Sequence, residues 1–175
     1  MPDSTMLSAQ PSPLPISSSS RKSGQPAKGK GTFQVKLITF EIGKLRFAVR
    51  IDQVQKVVNL PKVYGSGLRP IGLTQVGDQE VTVLDLGRRL FLSPGESTGT
   101  TDYLVLVQSA QGEVMGIPVA DTPLLVEIAS EQIRVLPESY RRADTLEFAS
   151  HIIVVPHEAG AQTLFLLDIE SLHAG

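Results

Sequence analysis

Val81-Thr82-Val83-Leu84-Asp85-Leu86-Gly87-Arg88-Arg89-Leu90 is the stretch that decides the fold. It opens with the alternation and β-branched content of a strand, then changes to a helix-like period. Asp85 stands at the change, where its carboxylate can accept the free backbone N–H groups of a new helix. It therefore reads as a helix N-cap rather than a catalytic acid. The same device returns near the end of the chain as Leu166-Leu167-Asp168-Ile169. A buried strand that stops at an Asp capping a short helix, used twice, predicts two small β-barrels built alike and packed side by side, each too small to be stable alone.

Short strands at regular spacing fill the sequence on both sides. Upstream of Val81, the turn Gly77-Asp78 joins it to Ile71–Val76. Further back, Gln34–Ile42, the turn Gly43-Lys44 and Leu45–Arg50 read as a hairpin, and Val54–Leu60 as a third strand ended by Pro61. Gly65, Gly67 and Pro70 mark an irregular connection. Downstream, a polar loop from Ser93 to Thr101 leads to a buried strand at Asp102–Gln108. Gln111-Gly112 then turns the chain into Val114–Val119, where Pro118 predicts an edge or a bulge. Leu124–Ile128 is another strand, and Pro137–Ala149 reads equally as a surface loop or a short helix. A last hairpin pairs Ser150–Val155 with Thr163–Leu167 across Glu158-Ala159-Gly160. The expected organisation is a tail over 1–32 and an all-β domain over 33–173, with approximate halves 33–92 and 101–173. The tail is Ser-, Pro- and Gly-rich and is expected to stay disordered, its Arg21, Lys22, Lys28 and Lys30 serving as solvated charge.

Composition bounds the function. The 175 residues are 41% hydrophobic and contain no Trp, so the core falls to Val, Leu and Ile. A formal net charge of −2 supplies no field for nucleic acid or membrane phosphates. The absence of Cys excludes disulfides and thiolate chemistry and fits a reducing, cytoplasmic setting. No run approaches the roughly 18 consecutive apolar residues of a membrane span, so the expectation is a soluble protein with no membrane insertion.

Catalytic constellations are equally scarce. His151 opens an apolar strand, His157 reads as part of a turn and His173 lies almost at the C-terminus, none with triad company. There is no nucleophile elbow, no phosphate-binding glycine motif with its strand–helix context, and no clustered metal ligands. Asp78 and Glu80 fall on a turn, as solvated surface. The expectation is a non-enzyme without cofactor or metal. The alternative is a small β-barrel nucleic-acid-binding module, but three Tyr and six Phe, most of the latter in inward positions, offer few stacking platforms.

The pattern over Leu37 to Leu172 resembles the CheW-like coupling proteins of bacterial chemotaxis. Phe40, Gly43, Phe47, Ala48 and Val49 match the family's opening, and Val54-Gln55-Lys56-Val57-Val58 its next strand. Gly72 through Leu86 aligns without gaps to a middle motif of the form G-x-x-N-L-R-G-x-x-V-P-V-x-D-L, and Gly116-Ile117-Pro118-Val119 and Leu166-Leu167-Asp168 match the second half. The resemblance implies two five-stranded barrels sharing a core. It also implies an adaptor joining the cytoplasmic tip of a chemoreceptor to the regulatory domain of a histidine kinase, in a two-component pathway for motility. Sheet edges and aliphatic patches would carry the binding, and the interface residues it implies are Val54, Lys56, Val58, Gln75, Val76, Gly77, Asp78 and Glu80. Three departures stand out. The family's motif arginine falls on Gly77, the acidic residue of the preceding strand falls on Lys56, and Ala120 takes the slot of an Asp that follows as Asp121. Lys56 is accordingly expected to face Asp78 or Glu80 with the ion pair's charges exchanged.

Overall fold

The computed structural model describes residues 31–65, 69–91, 100–141 and 146–173. The expected tail, apart from Gly31 and Thr32, and most of the loop expected over 93–101 lie outside them. In chain order the elements are β1 (Gln34–Ile42), β2 (Leu45–Arg50), a 3-10 turn (Ile51–Gln53), β3 (Val54–Asn59), β4 (Ile71–Val76), β5 (Gln79–Leu84) and α1 (Leu86–Phe91). There follow β6 (Tyr103–Gln108), β7 (Val114–Val119), β8 (Leu124–Ala129), a second 3-10 turn (Ser130–Gln132), β9 (Ile133–Val135), α2 (Glu138–Arg141), β10 (Ala149–His157), β11 (Gly160–Leu167) and α3 (Ile169–His173). The segment open to two readings thus contains a short helix, and the three-residue β9 is a strand that periodicity missed.

The strands form two sheets, ordered β8-β1-β2-β11-β10-β9 and β3-β6-β7-β5-β4. Pairing is antiparallel except for β2 with β11 and β5 with β7. Matched on these parallel pairs, β8 corresponds to β3, β1 to β6, β2 to β7, β11 to β5 and β10 to β4. The place of β9 is taken in the second sheet by Tyr64, which bridges Leu73. The internal repeat is therefore real, and α1 and α3 follow equivalent strands. Arg88 N–H donates to Asp85 Oδ1 at 3.0 Å, and Ser171 N–H donates to Asp168 Oδ1 at 3.4 Å, so both aspartates cap as expected.

The two sheets nevertheless do not coincide with the two sequence halves. The β1–β2 hairpin sits with β8 to β11, and the β6–β7 hairpin sits with β3 to β5. Each half has lent its first hairpin to the other sheet. The reason is visible in the side chains: these hairpins are apolar on both faces and need cover on both. Phe40, Phe47, Val49, Val105, Val107, Met115 and Ile117 point into one core shared by the sheets. From the same strands Leu37 and Ala48 point into a core private to the first sheet, and Leu104 and Leu106 into one private to the second. Each such buried aliphatic side chain contributes about 1.5–3 kcal/mol.

Close approach between β6 and β7 bears on Gly116. A Cβ on Gly116 would lie 2.8 Å from Leu104 Cδ1, and the matching position in β2 is the small, fully buried Ala48. Pro118 is not on an edge strand: β7 lies between β6 and β5. The parallel ladder to β5 reaches only Met115 and Gly116, so the missing N–H of Pro118 costs that ladder nothing.

Candidate functional site

Residues opposite one another on neighbouring strands share a face of the sheet, so the registers trace rows across it. In the first sheet one row runs Arg134–Ile152–Phe165–Phe47–Phe40. Its counterpart in the second sheet runs Tyr64–Leu73–Thr82–Met115–Val107–Val54. The inner ends of both rows meet in the shared core. The outer ends are uncovered, and each borders a concavity.

The first concavity is a groove of about 930 Å³ on β2, β11, β10 and β9, on the face that runs into the shared core, with α2 beside it. Its floor is apolar, made by Leu136, Ile152, Val154 and Phe165, the last with its ring centroid 6.1 Å from that of Phe47. Tyr140 and Val154 are exposed, at 59% and 48% of their full area. Lys44, Arg46 and Arg134 lie around it. Arg46 is engaged, with Glu41 and with Gln162 Oε1 at 2.8 Å, whereas Lys44 and Arg134 make no ion pair among the described residues. An apolar floor with unpaired cations at its rim suits a protein partner bearing aliphatic side chains beside carboxylates.

The second concavity, about 490 Å³, is polar and includes Glu80, Thr82, Arg89, Glu113 and His173. Arg89 is held by Glu147 at 3.3 Å and lies 4.1 Å above the Phe148 ring. His173 Nδ1 is 3.3 Å from Glu113 Oε2. Beside this concavity Tyr64, Ile71 and Leu73 form an exposed apolar shoulder, with Lys62 Nζ 5.1 Å above the Tyr64 ring.

The residues singled out in the sequence are dispersed along the second sheet. Val54, Lys56 and Val58 lie on β3 at one end of the strand order; Gln75 and Val76 lie on β4 at the other. Gly77 and Asp78 form the β4–β5 turn, Gly77 with φ +63°, and Glu80 pairs with Gln75. Val54 and Val58 are half-buried against the cores, and Lys56, Gln75, Asp78 and Glu80 are exposed. Lys56 forms no ion pair with Asp78 or Glu80 among the described residues. The exchanged pair is therefore absent; Lys56 lies on β3, which hydrogen-bonds to β6 and not to the β4–β5 hairpin.

No catalytic constellation assembles among the described residues. His151 Nδ1 touches Ser150 Oγ at 2.8 Å with no carboxylate joining them. Among the described residues no group of three or more His, Asp or Glu is placed to hold a metal ion. Phe40, Phe47 and Phe148 are buried, and the exposed aromatics Phe33, Tyr64 and Tyr140 lie on separate segments. No described helix is long and apolar enough to cross a membrane.

The fold has a counterpart among solved structures. The crystal structure of the scaffolding protein TtCheW from Thermoanaerobacter tengcongensis matches with a TM-score of 0.63 at 16% identity, over 81% of this chain and 88% of that one. No curated protein sequence matches the chain. The family model for the CheW-like domain matches residues 36–174, from within β1 through α3. The chain thus belongs to the CheW-like domain family.

Proposed function

We propose that the chain is a non-catalytic cytoplasmic adaptor of a chemotaxis-type pathway, coupling the tip of a chemoreceptor to the regulatory domain of a histidine kinase. Family membership supports a signalling scaffold. The observation that carries the reading is the groove on the first sheet, an open apolar floor of Ile152, Val154, Phe165 and Leu136 edged by the unpaired cations Lys44 and Arg134. In this reading the groove receives the kinase domain. Val54, Lys56 and Val58 on β3, and Gln75, Val76, Gly77, Asp78 and Glu80 at the β4–β5 hairpin, offer the receptor two separate contacts on the second sheet through their exposed members, and Lys56 is free to meet a carboxylate of the partner rather than one of its own chain. The test is a pull-down of the full chain with a kinase regulatory domain and with a receptor tip from the same cell. Retention of both is the expected result, and retention of neither would remove the adaptor reading.

A further inference from the structure

The first-sheet groove has the size and lining of a small-molecule site: about 930 Å³, mostly apolar, with a few polar groups at its rim. Two strand pairs make its floor. Ile152 faces Phe165, and two residues on Val154 faces Thr163. Beyond them the lining shrinks to Gly160 and Ala161, and a Cβ built on Gly160 would meet no heavy atom within 4 Å. From Gly160 to Phe165 the strand advances about 17 Å, long enough to lie under an extended dodecyl chain. The cations stand at opposite corners. Arg134 pairs with Ile152 at the bulky end, and Lys44 lies in the β1–β2 turn across the sheet. Both are exposed and without an ion pair among the described residues, whereas Glu41, the carboxylate of the lining, is taken up by Arg46. The rim is therefore cationic around an apolar strip.

We infer that this groove binds a free long-chain carboxylate, its headgroup on Arg134 and its alkyl chain laid over Ile152, Phe165 and Val154 toward Gly160. The planar guanidinium offers two parallel N–H donors to a carboxylate, and the apolar floor takes the chain out of water. Lys44 adds positive potential at the far corner. Binding of such a ligand needs no kinase domain, and a kinase domain docked in the same groove, as proposed above, competes with it.

Titration of the full chain with dodecanoate below its micellar concentration, followed by calorimetry and by amide chemical shifts, tests this. Saturable binding of one dodecanoate per chain is expected, with the shifts gathered on β9, β10 and β11. Decanoate should bind roughly tenfold more weakly, because two fewer methylenes are buried. Dodecanol, which keeps the chain and loses the charge, should also fall by roughly tenfold. Arg134→Glu lies at an exposed position and is expected to weaken dodecanoate by roughly tenfold or more while leaving thermal unfolding unchanged, with Arg134→Lys in between. Affinity that ignores chain length, shifts centred on the second sheet, or an Arg134→Glu variant that binds as the wild type does overturns the inference. Dodecanoate that binds in the groove without displacing a bound kinase domain leaves the inference standing and removes the groove as the kinase face. A kinase domain that docks there on a chain indifferent to dodecanoate does the reverse.

Discussion

The uncovered ends of the two core-facing rows have one scaffold and two chemistries. Arg134–Ile152–Phe165 in the first holds the place of Tyr64–Leu73–Thr82 in the second, and both rows run on into the shared core through Phe47 and Met115. Where the rows are buried, both keep large apolar side chains, because packing there tolerates little else. Where they emerge, they diverge into an apolar groove with cations at its rim and an exposed Tyr64–Leu73 shoulder beside a polar concavity. The repeat therefore separates what the fold requires from what a partner requires.

The equivalence can be broken or sharpened by paired substitutions. The largest effect belongs to the buried ends. Phe47→Ala is expected to cost about 3–5 kcal/mol and Met115→Ala about 2–5 kcal/mol in denaturant unfolding. A well-tolerated Met115→Ala would show that the second row does not enter the shared core as the first does. Next come the caps: Asp85→Ala and Asp168→Ala should each cost about 1 kcal/mol, equal within error. Unequal losses in thermal unfolding would mean the two helix starts are not equivalent. The smallest effect concerns Lys56 and Glu80. Each change to Ala should alter stability by less than about 0.5 kcal/mol, and the double variant should be additive, since the chain forms no pair between them. Coupling in that double-mutant cycle would restore the exchanged ion pair.

Local structure was legible wherever neighbours in sequence decide it. The β1–β2 and β4–β5 hairpins announce themselves by alternation and by Gly43 and Gly77, both of which adopt positive φ. The Asp85 and Asp168 caps follow from a change of period at a carboxylate. The exchange of hairpins was not legible, because it is a choice between distant strands that present equally apolar faces: β6 reads Tyr103-Leu104-Val105-Leu106-Val107 whichever sheet it joins. β9 was missed because three residues show no period. The groove was missed for a related reason. Ile152, Val154 and Phe165 alternate with the core residues Ile153, Leu164 and Leu166, and apolarity on both faces of β10 and β11 reads as core on both. The resemblance pointed to β3 and the β4–β5 turn, but only strand order shows that these lie at opposite ends of one sheet.

Binding of the kinase domain at the groove can be tested at a single side chain. Ile152→Asp places a carboxylate on its apolar floor, at a half-buried position outside the three cores. Titrating the kinase regulatory domain against the wild-type chain and this variant, by calorimetry and with thermal unfolding as a folding control, should show affinity falling roughly tenfold or more while the variant stays folded. Unchanged affinity in a folded variant would contradict the assignment of the groove as the kinase-docking face.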